Sequence, residues 1–315
     1  MSLKKFIPSL QHLPKVDFEY QFTVFVPVYN AANTISRVFN ALQKQSFKNF
    51  EVIIINDGST DSTHEIISEL LRTCSLQTVY INNDINKHKM GCLFEAITLA
   101  RGEFFLVLDA DDECTENALE VFFNEYNQIP EEKKSMISGV TCCCVDQNGN
   151  LVGDYFPETP FYSDSFRKKV YNNIKGEKWG FVKTTILSRI DINHEVFSKG
   201  LIPESYIWFL IAKEGYLTKY INNTLRVYHL QIGGNLSSLG YDKKAFGMAI
   251  FAIAFVNWFH KGHLIKVPSH FFMRLYSLLK ASKFLSFRLT DYLVSIDNYL
   301  LKFAFALFWP IRRLL

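Results

Sequence analysis

Three carboxylates crowd into four positions at Asp109-Ala110-Asp111-Asp112, directly after the apolar run Phe104-Phe105-Leu106-Val107-Leu108. Five consecutive apolar residues read as a strand covered on both faces. Carboxylates at its end cannot be core, because burying unpaired charge is costly, and clustered anions repel one another unless a cation holds them. The economical chemistry is a divalent metal site at the carboxyl end of a parallel strand, where open α/β sheets place their ligands. Oxygen donors suit Mg²⁺ or Mn²⁺, ions that commonly bridge to phosphates, so a phosphorylated substrate is expected. Two further strand ends carry polar residues: Val28-Tyr29-Asn30 and Asn56-Asp57-Gly58-Ser59.

The elements that must position these residues follow from periodicity. Strands are expected at Thr23–Val28, Phe50–Ile55, Thr78–Ile81, Phe104–Leu108 and Met136–Val145, and later at Leu217–Ile221 and Leu225–Tyr228. Helices are expected at about 33–45, 62–72, 92–100, 117–126 and 204–215. Alternating strands and helices predict an α/β protein with a doubly wound, mostly parallel sheet. From about Tyr241 the chain turns helical and aromatic. Leu289, Leu293, Ile296, Leu300, Phe303 and Leu307 recur at spacings of three and four and predict one long apolar stripe. Between His260 and Leu315 nine basic residues face only Asp291 and Asp297 in the sequence, a pattern suited to an anionic membrane surface, while the plainer alternative is packing onto the rest of the protein. The domain reading is an N-terminal extension (1–20), a catalytic domain (21–238, split into a nucleotide half 21–112 and an acceptor half 113–238) and a helical, membrane-associating region (239–315).

Composition narrows the function. The 315 residues are 48% hydrophobic and 21% charged, with 29 phenylalanines, so a sizeable core and some exposed apolar area are expected. A net charge of +3 gives no reason to expect nucleic acid. The six cysteines, three of them the run Cys142-Cys143-Cys144, have no CxxC spacing and read as reduced, small core residues of a cytoplasmic protein. No signal-peptide pattern opens the sequence, and no window reaches the roughly 18 apolar residues of a membrane span.

In order and spacing, "FTVFVPVYNAANTISRVFNALQKQSFKNFEVIIINDGSTDST" and "ARGEFFLVLDADDE" resemble the family 2 glycosyltransferases of GT-A fold, with weaker similarity to "LRVYHLQIGGNLS". The resemblance spans roughly 22–238. It implies an inverting, metal-dependent hexosyltransferase that uses a nucleotide diphosphate sugar, a UDP-sugar by family habit. The acceptor would be a hydroxyl of a glycan or lipid-linked glycan in envelope polysaccharide synthesis, at the inner face of the plasma membrane. Residue by residue it implies that Pro27, Tyr29 and Asp57 hold base and ribose, that Asp109 and Asp111 form the DxD pair, and that Lys87 or Lys89 lies near the nucleotide. Glu204 matches the first position of a Glu-Asp pair whose aspartate often serves as base. Ser205 stands at the second, so Glu204 is the expected base, against the alternative of a carboxylate answering the helix dipole. His229, before Gly233-Gly234, is a candidate to complete the metal or diphosphate site, or else a histidine satisfied by its neighbours. Glu177, Lys178 and Trp179 are acceptor-side candidates, Trp179 by stacking on sugar, against the commoner alternative of core or rim packing for a lone tryptophan. Competing classes are a sugar nucleotidyltransferase, which needs a glycine-rich loop where Tyr29-Asn30 stands, and a catalytically impaired nucleotide-sugar scaffold, favoured only by Ser205. A dehydrogenase is disfavoured because no GxGxxG follows the first strand.

Overall fold

The structure, a computed structural model, describes residues 2–12, 17–229 and 240–314. It divides into two compact units. One comprises His12–Arg189 and Gly215–Ile232; the other comprises Met1–Gln11, Ile190–Glu214 and Gly233–Leu315.

The first unit is built on a nine-stranded sheet. In chain order its elements are β1 (Tyr20–Val28), α1 (Ile35–Gln43), β2 (Phe50–Asp57), α2 (Thr63–Thr73), β3 (Thr78–Asn83), α3 (His88–Leu99), β4 (Gly102–Val107), β5 (Glu113–Cys114), α4 (Ala118–Asn127), α5 (Glu131–Lys134), β6 (Ile137–Asp146), β7 (Phe161–Ser163), α6 (Ser165–Val170), β8 (Lys178–Lys183), α7 (Thr184–Leu187) and β9 (Leu217–Tyr228). The spatial order is β3-β2-β1-β4-β8-β6-β9-β5, with β7 also paired to β9. β3, β2, β1 and β4 are mutually parallel, as the alternation of apolar runs with amphipathic helices predicts. Every residue of β2 is buried, polar Glu51, Asn56 and Asp57 included, and only its centre, Val52–Ile55, is an unbroken apolar run.

Beyond β4 the sheet turns mixed. β8 is antiparallel to both β4 and β6, while β6 and β9 are parallel. Sequence reading missed β8 because lysines at both ends and Gly180 in the middle break its apolar pattern. The glycine is needed there: a Cβ on Gly180 would meet the Val140 carbonyl oxygen at 2.1 Å. The two strands expected at 217–221 and 225–228 are one, β9, with register irregularities between Tyr220 and Arg226.

In this unit several phenylalanines pack between sheet and helices. Phe104 packs against Phe181 at 4.4 Å and Phe22 at 5.2 Å, and Phe122 against Trp179 at 5.3 Å. At the amino edge of the sheet, fully buried Glu51 accepts hydrogen bonds from Thr23 Oγ1 (2.8 Å), Arg101 N (2.6 Å) and Arg101 Nε (3.0 Å). This ties the starts of β1, β2 and β4 together.

The second unit is helical: α8 (Ser205–Lys213), α9 (Tyr241–His263), α10 (Pro268–Ala281), α11 (Leu289–Ser295) and α12 (Tyr299–Phe308), with a two-strand pair between Ser9–Leu10 and Ile190–Asp191. The fully buried Tyr206 donates to the Phe6 carbonyl at 3.0 Å and stacks on Trp258. The predicted stripe is not one helix. The chain breaks at Ile296–Asn298, where Asn257 Oδ1 accepts from Asp297 N and Asn298 caps α12. Ile296 is buried, but Leu300, Phe303 and Leu307 are exposed. Among the described residues no helix is long and apolar enough to cross a membrane.

Candidate active site

Two loops at the carboxyl edge of the parallel strands are stitched into one cradle. Asn30, in the left-handed region at φ 50°, donates its N–H to Ser59 Oγ (2.8 Å) and accepts from Thr60 N at Oδ1 (2.8 Å). Ala31 N donates to Thr63 Oγ1 at 2.8 Å. Below them Asn56 Oδ1 accepts from Ser59 Oγ, and Asn56 Nδ2 donates to Asn82 Oδ1 at 2.7 Å. Gly58, at φ 69°, lets the second loop turn against the backbone of Asn86, which a Cβ would meet at 3.0 Å. The buried Asp57 carboxylate accepts the Lys87 backbone N–H at 2.7 Å, fixing the entry to α3. Tyr29 stands 52% exposed on the rim, its ring open to a planar ligand, while Pro27 is part-buried within β1.

The acidic motif follows β4. The Leu108 N–H is held by the Phe25 carbonyl, Asp112 N closes a turn on Asp109 O (3.1 Å), and Arg37 of α1 donates to the Asp111 carbonyl at 3.1 Å. Asp109 is clasped by two cations, Lys89 Nζ on Oδ1 (2.5 Å) and Arg226 Nη2 on Oδ2 (2.8 Å). Burial opposes its ionisation, but the Lys89 and Arg226 charges win and hold it below the usual carboxylate range. Arg226, buried on β9, also grips Asp112 through Nε (2.7 Å) and Nη2, and lies 5.4 Å over the Tyr228 ring. Asp111 behaves differently: burial first, then the neighbouring Asp109 charge, push its carboxyl upward.

Of the cations named from sequence, Lys89 reaches the acidic motif, whereas the Lys87 ammonium pairs with Glu95 (2.9 Å) and Asn83 (3.0 Å). His229 donates its backbone N–H to Asp112 Oδ1 (2.9 Å), and its Nε2 lies 2.8 Å from Glu113 Oε1, so its ring is engaged by a carboxylate. Gly233-Gly234 lie outside the described residues. Glu204 sits at the N-terminus of α8, in the helical unit. Of the two readings of Trp179, packing holds: it is buried, donates its indole N–H to the Val107 carbonyl at 2.6 Å, and is core beneath the motif. Arg226 was missed. The available signal was an arginine inside the strand-like stretch Leu225–Tyr228, where an unpaired cation would be costly and a carboxylate partner is required.

Glycosyl transferase family 2 is the family whose model matches residues 23–197, over half of the chain. The chain belongs to this family, and it is a glycosyltransferase. Its relatives include the GalNAc(5)-diNAcBac-PP-undecaprenol beta-1,3-glucosyltransferase of Campylobacter jejuni, 25% identical over 72% of this chain and 70% of that protein. Another is the UDP-Glc:alpha-D-GlcNAc-diphosphoundecaprenol beta-1,3-glucosyltransferase WfgD of Escherichia coli, 26% identical over 62% of this chain and 71% of that protein. Among solved structures, S. aureus TarS 1–349 in complex with UDP-GlcNAc superimposes with a TM-score of 0.59 at 19% identity, over 88% of this chain and 82% of that one. At that identity the likeness establishes the fold, which is GT-A.

Proposed function

We propose that this glycosyltransferase moves a sugar, with inversion, from a UDP-sugar to a hydroxyl of a lipid-linked or glycan acceptor in envelope polysaccharide synthesis. The observation that carries the reading is the Asp109–Asp111 pair on the same sheet edge as the Tyr29–Asp57 cradle. The glucosyl transfer of the two bacterial relatives onto undecaprenol-linked diphosphate acceptors and the UDP-GlcNAc bound by TarS agree with it. In this reading Tyr29 covers the uracil, and Pro27 and Asp57 shape the base and ribose pocket. Lys89 and Arg226 set the orientation of Asp109 towards ribose and donor sugar. Lys87 contributes its backbone N–H to Asp57.

The donor set fits a hard divalent cation, Mg²⁺ or Mn²⁺, with Asp111 and Asp109 as its protein ligands. Among the described residues no three His, Cys, Asp or Glu side chains form a complete cage. One or two carboxylates completed by substrate phosphates is the usual manner of holding Mg²⁺. With Nε2 held by Glu113, His229 would join such a set through Nδ1, a carboxylate on the other ring nitrogen being the usual support of a ligating histidine. Bound there, the ion supplies positive charge that offsets the charge on the departing diphosphate. Glu204 is the proposed base: its carboxylate takes the acceptor hydroxyl proton as that oxygen bonds to the anomeric carbon and the sugar–phosphate bond breaks.

The helical unit supports a peripheral, cytoplasmic-face location. Tyr299, Leu300, Phe303 and Leu307 of α12 are each more than half exposed, and Lys261, Lys266, Lys283 and Arg288 are exposed on the same unit. Exposed aromatic and leucine side chains beside lysines and arginines suit an anionic leaflet. Phe303→Asp with Leu307→Asp is expected to abolish sedimentation with phosphatidylglycerol vesicles. Equal binding to neutral vesicles would contradict the charge argument.

The test of function is nucleoside diphosphate release from a panel of UDP-, GDP- and dTDP-sugars with Mn²⁺, with and without EDTA. Release from a UDP-sugar that EDTA abolishes is expected. Glu204→Gln should keep UDP binding and lose transfer by at least about a hundredfold. Full transfer in that variant removes Glu204 as the base.

A further inference from the structure

The second half of the sheet carries cations that this mechanism leaves without a role. Lys178 opens β8 and Lys168 lies in α6. The Lys178 ammonium stands 5.5 Å over the Phe156 ring, and the Lys168 ammonium 5.5 Å over the Tyr220 ring. Those rings pack 4.8 Å apart, with Phe161 beside both.

This platform is held from several sides. Where β9 loses register, Asn222 accepts from Phe156 N (2.8 Å) and donates to Phe156 O (3.1 Å). The loop before Phe156 clasps the loop before Lys178: Asp154 N donates to Lys175 O (3.2 Å), and Lys175 N donates back to Asp154 Oδ2 (2.9 Å). Gly153 and Gly176, both at left-handed φ, face each other so closely that a Cβ on Gly176 would meet the Val152 carbonyl at 2.1 Å.

Register puts the cluster on the active-site edge. β8 runs antiparallel to β4 and β6, so its first residue lies at their carboxyl ends, one residue before the Trp179 that bonds the end of β4. The neighbouring Glu177 carboxylate acts on Tyr228, the tyrosine beneath Arg226.

Among the described residues, neither ammonium has a carboxylate within ion-pair distance. Lys178 donates only to the carbonyls of Lys175 (2.9 Å) and Glu177 (3.2 Å). Desolvation, then the like charges of Lys178 and Lys169, bring Lys168 down to about 8, with Glu177 offsetting part of this. Two cations on an apolar platform recover some of their lost hydration from the rings, but an anion would recover more.

We propose that Lys168 and Lys178 form a binding site for a phosphate or diphosphate ester, the anionic part of the acceptor, next to the transfer centre. The assignment to the acceptor rests on the transferase reading. It follows from position, since the cradle comes from the loops after β1 and β2 while this cluster comes from β8, β9 and α6.

The test is calorimetric titration of the full chain with inorganic pyrophosphate, with and without saturating UDP and Mn²⁺. The wild type should bind pyrophosphate in both conditions. Lys168→Met/Lys178→Met should weaken that binding at least about tenfold without lowering Tm, and Lys168→Arg/Lys178→Arg should restore it. Lys178→Gln alone serves if the double variant does not fold. Pyrophosphate binding that UDP abolishes would assign the anion to the donor and overturn the acceptor role. Binding unchanged in the methionine variant, or absent in the wild type, would overturn the site. UDP-sugar hydrolysis on the same samples separates the two claims. Hydrolysis with unchanged pyrophosphate binding sinks only the lysine site; no hydrolysis with lysine-dependent binding sinks only the transferase reading.

Discussion

Two arginine–carboxylate knots lie at opposite edges of the same sheet. At the amino edge, Glu51 is fully buried and takes its partners from Thr23 and Arg101, residues at the starts of neighbouring strands. At the carboxyl edge, Asp109 and Asp112 share Arg226 from a strand far along the chain, and Lys89 completes the clasp. In the first knot the Glu51 oxygens are met by Thr23 and Arg101, and the Arg101 guanidinium reaches on to Glu19. The second adjoins Asp111, a carboxyl whose ionisation is opposed by burial and by Asp109, and a cradle with an exposed tyrosine. In the proposed function similar chemistry does different jobs, according to position along the strands. Strand starts fasten; strand ends in open α/β sheets present ligands.

The contrast can be broken by removing members of each knot in turn. Arg226→Ala leaves buried Asp112 without its cation and Asp109 with Lys89 alone, and should have the largest effect: transfer falls below detection and stability drops by about 3–5 kcal/mol, read by turnover and urea unfolding. A variant that loses only stability would make the carboxyl-edge knot another fastener. Asp111→Asn should cut kcat at least about a hundredfold while leaving Tm unchanged or higher, because it removes a repelled carboxylate. Glu51→Gln should do the reverse, costing about 1–3 kcal/mol in urea unfolding with kcat intact. Loss of turnover there at full stability would merge the two edges into one functional network. Tyr29→Ala should be the mildest, raising donor KM about tenfold or less with little change in kcat.

The cradle and acidic motif were legible because apolar runs at Val52–Ile55 and Phe104–Leu108 end abruptly in polar residues, a signal that needs no long-range information. The acceptor half was less legible for physical reasons. β8 keeps its place through the backbone approach at Gly180 rather than an apolar pattern, so the sequence leaves Trp179 open between sugar stacking and packing, and it is core. The carboxylates that Arg226 bonds lie more than a hundred residues earlier, which strand periodicity does not report. The stripe from Leu289 to Leu307 has helical spacing throughout, yet Asn257 and Asn298 satisfy the backbone of a break inside it and send its two halves to different environments.

The most direct test of the carboxyl edge as the donor centre is calorimetric binding of UDP, with and without Mn²⁺, to the wild type, Asp111→Asn and Glu51→Gln. Binding that needs Mn²⁺, weakens at least about tenfold in Asp111→Asn and persists in Glu51→Gln is the predicted result. UDP binding equally tight in Asp111→Asn, or absent from the wild type, would contradict the account.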